Sequence, residues 1–129
     1  MHTLRLQNIT NHFIYGALPS LDTTIKATKV SISELADNYK SFHGQYIETT
    51  GTYYGGFEDF ALYTNKNWIT REAKAFWLNL HYDLHIDHAS YTKMSGRRIT
   101  VKGLMDTTSQ GHLNSYLATI THIYYWKAE

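Results

Sequence analysis

The sequence predicts a mainly β protein in which five strands close into a small Greek-key barrel behind one short α-helix. Three observations carry this expectation. Beyond residue 44 apolar residues recur with a period of two, in strand-length segments separated by turn residues. Two of those segments carry a glycine in mid-strand, Gly51 and Gly103, where a curling sheet needs a bulge or a sharp bend. Eleven Tyr, three Trp and five Phe against a single Pro also suit pleated, half-buried surfaces. At 129 residues the chain fits one domain, with residues 1–29 as an N-terminal extension and residues 30–129 as helix plus barrel.

The extension is polar and mixed, with "LRL" as a short strand and "GALPS" as a turn. The helix follows in "VSISELADNYKSFHG". Ser31 and Glu34 have the spacing of a capping box, and Val30 and Leu35 that of a hydrophobic staple. Leu35, Tyr39 and Phe42 then share one face and Gly44 is placed to end it, so the helix is expected over about residues 32–42. "QYIETTGTYYGGF" reads as the first barrel strand, with Gly55-Gly56 as a turn and "EDFALYT" as its return. Residues 65–75 are polar and read as a loop.

"FWLNLHYDLHID" requires a choice. A helix would line up His81, His85 and His88, as a zinc face does, but would scatter the apolar residues around its circumference. A strand puts Phe76, Leu78, Leu80, Tyr82, Leu84 and Ile86 on one face and Trp77, Asn79, His81, Asp83, His85 and Asp87 on the other. The alternation predicts a strand. "ASYTKMSG" reads as a connector, "RRITVKGLMD" as a strand, "TTSQGHLNS" as a turn and "YLATITHIYYW" as the last strand.

There is an internal echo. "GQYIETTGTY" from Gly44 and "GRRITVKGLM" from Gly96 share G-x-x-I-x-x-x-G, with Thr49 matching Val101 and Tyr53 matching Met105. Two copies do not make a solenoid. Two bent strands, each leading into a further strand, fit a barrel of the oligonucleotide/oligosaccharide-binding (OB) type.

In "YKSFHGQYIETTGTYYGGFEDFALY", "AFWLNL" and "GRRITVKGLMDTTSQGHLNSYLATITHI" the chain resembles a group of small bacterial OB-fold-like proteins. Their pattern runs through Y-x-G-x-x-V-x-V-x-G, G-F-E-x-x-A-L-Y, A-x-W-L, G-x-V-x-V-x-G and G-H-x-x-x-Y. The resemblance covers roughly residues 30–124 and implies the fold, with no particular activity attached. The first 29 residues and the polar stretch after "AFWLNL" lie outside it.

Composition narrows the function. Without cysteine there is no disulfide, thiolate nucleophile or cysteine-bound zinc. A net charge of +1 lacks the basic excess of a general phosphate binder. No apolar run reaches membrane-span length and the first residues lack a signal-peptide pattern. The cytoplasm is therefore the default expectation, and the periplasm the alternative if a leader has been removed. There is no G-x-S-x-G, H-E-x-x-H or phosphate loop, so no enzyme and no cofactor is expected.

A small metal-dependent enzyme built around His81, Asp83 and His85 on one strand face stays the second alternative, since the ion needs a third ligand from a neighbour. Glu58 and Asp59 invite a glycosidase reading, but adjacent strand residues point to opposite faces; Glu58 is expected to bond within its turn. His112 reads as a packed or turn-capping residue. The expected binding surface comprises His81, Asp83, His85, Asp87, Tyr53, Tyr54, Phe57, Arg97 and Arg98. The expected function is recognition of another protein, extending on size and context to a bacterial inhibitor or immunity protein for a toxin or effector. The alternative is single-stranded nucleic-acid binding through Tyr46, Tyr53, Tyr54, Phe57 and Tyr63 beside Arg71, Lys74, Arg97, Arg98 and Lys102.

Overall fold

The structure is a computed structural model that describes residues 4–7, 13–16, 24–56, 58–64 and 74–129. Its elements are β1 (Leu4–Gln7), β2 (Phe13–Gly16), β3 (Thr28–Lys29), α1 (Ile32–Asp37) and a 3₁₀ turn (Tyr39–Phe42). They continue with β4 (Tyr46–Gly56), β5 (Asp59–Tyr63), β6 (Ala75–Leu80), α2 (His88–Met94), β7 (Arg98–Asp106), a second 3₁₀ turn (His112–Asn114) and β8 (Ala118–Ala128). No helix among the described residues is long and apolar enough to cross a membrane.

Strand β4 pairs antiparallel with both β5 and β7, β5 with β6, and β7 with β8, while β6 and β8 run parallel. The circuit β4-β5-β6-β8-β7 thus returns to β4. This is a closed five-stranded barrel preceded by a short helix, as the sequence predicts. Inside it pack Ile47, Tyr53, Leu62, Phe76, Leu78, Ile99, Val101, Met105, Ile120 and Trp126. Outside the circuit the β1–β2 hairpin extends the sheet from β8, and β3 lies parallel to β4.

The sequence echo becomes an approximate local two-fold axis. The two copies pair with each other, Thr49 opposite Val101, Ile47 opposite Gly103 and Gly51 opposite Ile99. Gly44 N–H donates to Met105 O at 2.9 Å, and its counterpart Gly96 N–H donates to Tyr53 O at 2.7 Å. Each copy is a helix, a glycine at positive φ (Gly44 +77°, Gly96 +88°), a strand and a return strand. The mid-strand glycines let a neighbouring strand come close. A Cβ on Gly103 would lie 2.9 Å from Ile120, Ile123 and the Thr121 carbonyl, and one on Gly51 would lie 2.8 Å from Leu62. Opposite Gly103 strand β8 bulges, since Lys102 faces Tyr125 but Leu104 faces Thr121, and His122 within the bulge has φ +52°.

Ser31 caps α1 as expected, its hydroxyl accepting from Glu34 N–H at 3.1 Å, and Val30 and Leu35 are both buried. The predicted helix over 32–42 is interrupted at Asn38, whose φ of −129° separates α1 from the 3₁₀ turn. Gly55 and Gly56 are not a turn. They belong to the ladder, Gly55 pairing with Phe60 and Gly56 with Asp59, and Glu58 takes φ +62°. The predicted strand over 76–87 stops at Leu80, and the predicted connector after it contains α2. Asp87 caps that helix by accepting from Ser90 N–H at 2.9 Å. The "GALPS" turn and residues 65–73 lie outside the described residues.

Candidate binding face

The end of β6 overturns the expected polar stripe. Leu84 N–H closes a turn onto His81 O, and Asp83 N–H donates to His81 Nδ1 at 3.1 Å. Burial then inverts, with Tyr82 77% exposed and Asp83 only 5% exposed. His81, Asp83 and His85 therefore share no strand face, and His81 approaches Asp83 only locally, at 3.8 Å. Asp87 serves the helix cap. Among the described residues no three His, Asp or Glu are grouped to hold a metal ion.

Tyr53 is likewise no surface residue. It is fully buried among Phe60, Tyr91 and Trp126. Its inward position on β4 puts its hydroxyl where a Cβ of Gly55 would stand, so burial raises its pKa. Arg97 and Arg98 are exposed at the start of β7, where Arg98 borders a recess of about 500 Å³ with Lys29 and Glu48. Phe57 and Arg71 lie outside the described residues. Among the described residues, Tyr54 of the expected protein-binding surface and Tyr63 of the nucleic-acid alternative join the aromatic surface described next, their rings 5.3 Å apart.

That surface is the exterior of β5 and β6 with the two connections flanking it. Ala61 of β5 pairs with Trp77 of β6, and because side chains two apart share a face, Asp59, Ala61 and Tyr63 lie together. The β7–β8 connection, residues 107–117, folds back over Trp77. Gly111 has φ +70° and ψ −157°, and its missing side chain leaves room for Trp77, to which a Cβ would come within 2.5 Å. The rings of His112 and Tyr116 then sit 6.2 and 5.2 Å from Trp77.

Asp59 is the centre of the arrangement. Its Oδ1 accepts from Tyr116 OH at 2.7 Å and its Oδ2 from Tyr63 OH at 2.9 Å. Burial, then the carboxylate's hold on the proton, pushes the Tyr63 phenol up to about 12 and raises that of Tyr116 as well. Phe57 of the Glu58 turn lies outside the described residues, and the hydrogen bond expected for Glu58 within that turn falls there. Glu58 reaches across to the β7–β8 connection, Oε1 lying 3.7 Å from His112 Nε2, just beyond hydrogen-bond range. Beside it Leu113 is 77% exposed at φ +55°.

Sequence reasoning gave Trp77 and Tyr116 no role, weighed Asp59 only as half of a carboxylate pair, and treated His112 as a packed or turn-capping residue. One signal could have found most of the face. Glu58, Tyr63, Trp77, Gly111, His112 and Tyr116 are fixed positions of the three quoted segments G-F-E-x-x-A-L-Y, A-x-W-L and G-H-x-x-x-Y, and all six meet here.

A closed barrel with one parallel pair, an aromatic exterior on its second and third strands, and two loops beside that exterior define an OB-fold-like barrel, an architecture consistent with a non-catalytic binding module. Compared with family models, with curated proteins and with solved structures, the chain has no match.

Proposed function

We propose that this chain is a non-enzymatic binding module that recognises another protein through the β5–β6 face. The observation that carries the reading is the capture of two phenolic protons by Asp59. With their protons held by Asp59, Tyr63 and Tyr116 present acceptor oxygens and rings rather than O–H donors. Together with Glu58 they give the face an excess of acceptors at its centre, which disfavours a phosphate backbone. Aromatic area ringed by polar groups is the composition of a protein contact. The bacterial origin implied by the resemblance, and a role as inhibitor or immunity protein for a toxin or effector, belong to the same proposal and rest on size and resemblance.

Single-stranded nucleic acid is the second reading, favoured by the pavement of Tyr54, Tyr63 and Trp77. A photo-crosslinking amino acid at Leu113, used in the native cells, tests both. The expected result is one discrete crosslinked protein, lost when Trp77 is changed to Ala, with no retention of oligothymidylate or oligouridylate at low salt. Oligonucleotide binding that collapses as salt rises overturns the reading.

A further inference from the structure

The chemistry of the face also selects the kind of protein segment that fits it. Among the described residues neither Glu58 nor Asp59 has a lysine or arginine within ion-pair distance, and His112 lies 3.7 Å from Glu58. Tyr63 and Tyr116 have their hydroxyl protons committed to Asp59. The half-buried face carries the Glu58 carboxylate, phenolic oxygens and the rings of Tyr63, Trp77 and Tyr116, all of which attract positive charge. Leu113 supplies an apolar contact at the rim, held out by a left-handed backbone conformation that L-residues adopt at some cost.

We propose that the partner docks a basic segment on this face, with an arginine side chain as its anchor beside Glu58. Arginine fits better than lysine because its planar guanidinium lies flat on aromatic rings and keeps N–H donors free for a carboxylate and phenolic oxygens. The inference rests on the protein-binding reading above and adds the partner's chemistry to it.

The test uses four probes on the whole chain: N-acetylated tetra-arginine, tetra-lysine and tetra-glutamate amides, and a twelve-residue oligothymidylate. The readout is the indole N–H resonance of Trp77 together with the affinity obtained from its titration. Tetra-arginine is expected to shift that resonance, with tetra-lysine weaker and the two anionic probes inert. Glu58→Gln, on an exposed turn where shape is kept, is expected to weaken tetra-arginine about three- to fivefold, the range of an exposed ion pair. Asp59→Asn is expected to weaken it about tenfold, because the face is also disordered when a tyrosine proton is released. Wild-type affinity should fall as salt rises, and less steeply in Glu58→Gln.

A Trp77 resonance unmoved by tetra-arginine, or an affinity indifferent to Glu58→Gln, overturns the proposal. The crosslink from Leu113 separates the two claims. If a partner protein is captured equally well by wild type, Glu58→Gln and Asp59→Asn, the basic anchor is wrong while protein recognition stands. If oligothymidylate shifts Trp77, both are wrong.

Discussion

Replacing Gly111 by alanine tests how the face is held together. In place, the new residue would sit at φ +70° and ψ −157°, a region open to glycine almost alone, which costs about 1–3 kcal/mol. Its Cβ would also stand 2.5 Å from Trp77 Cβ and 2.8 Å from Tyr116 Cδ2, an overlap costing about 1–3 kcal/mol more. The connection can escape by lifting away, but it then forfeits the Tyr116–Asp59 hydrogen bond, worth about 1.5–3 kcal/mol as a bond to a charged group. It also forfeits the ring contacts of His112 and Tyr116 with Trp77, about 0.5–1.5 kcal/mol each. The two routes are of similar size, so Gly111→Ala should lose about 2–4 kcal/mol in urea unfolding followed by tryptophan fluorescence, and the Trp77 indole resonance should move. Gly56→Ala is the control, because no atom lies within 4 Å of its Cβ position; its effect should stay within about 0.5 kcal/mol. If Gly111→Ala matched that control, the packing of the connection on Trp77 would be refuted as the organiser of the face.

Gly103→Ala should destabilise by about 1–3 kcal/mol, since a backbone carbonyl is among the atoms it meets, and more than Gly44→Ala, where only the positive φ is strained; paired urea curves check the order. Asp87→Ala should cost about 1 kcal/mol and Asp87→Asn much less, because the amide oxygen still accepts from Ser90 N–H; helix-band circular dichroism and urea midpoints report it. The raised phenols fix a direction in alkali. The folded state holds the Tyr63 proton to about 12 and the unfolded chain only to about 10, so the associated stability is complete below pH 10 and is lost as pH rises from about 10 towards 12. Unfolding curves across that window should steepen in their pH dependence for wild type relative to Tyr63→Phe.

The barrel was legible because its information is local. Gly44 and Gly96 stand where left-handed turns begin the strands, the capping box at Ser31 names a helix start, and period-two patterning covers β4, β7 and β8. The segment after Leu80 misled for a specific reason. Phe76 to Leu80 do alternate in a strand, and residues 81–87 continue the same alternation in composition while forming a turn and a helix entry. The end of β6 is set by its partner, since β8 bulges at His122 and draws His81 N–H onto Ile123 O at 2.8 Å. Nothing in "HYDLHID" encodes that. The helix that follows did carry a signal, Asp87 three residues before Ser90 with Tyr91 and Met94 at helical spacing, but seven residues are too few for periodicity to outvote the strand pattern. The face was illegible for another reason. Its members come from 58–63, 77 and 111–116, and only closure of the barrel brings those stretches together.

The approximate two-fold makes clear which part of the chain was free to become a site. The paired strands β4 and β7 obey the symmetry down to their hydrogen bonds, and a short helix precedes each of them in the chain. The connections that follow do not. Strand β5 begins only three positions after β4 ends, whereas after β7 the chain takes the eleven positions 107–117 before β8 begins. The short connection leaves Glu58 at the rim, and only the long one can travel back far enough to lay Gly111, His112 and Tyr116 on Trp77. A rigid framework carrying one enlarged loop is the usual way a binding surface is added to a fold without disturbing it. Shortening 107–117 to a tight turn should therefore erase the face and its ligand while the barrel persists. A shortened variant that kept both its circular dichroism and its capture of the partner would place recognition somewhere else on the molecule.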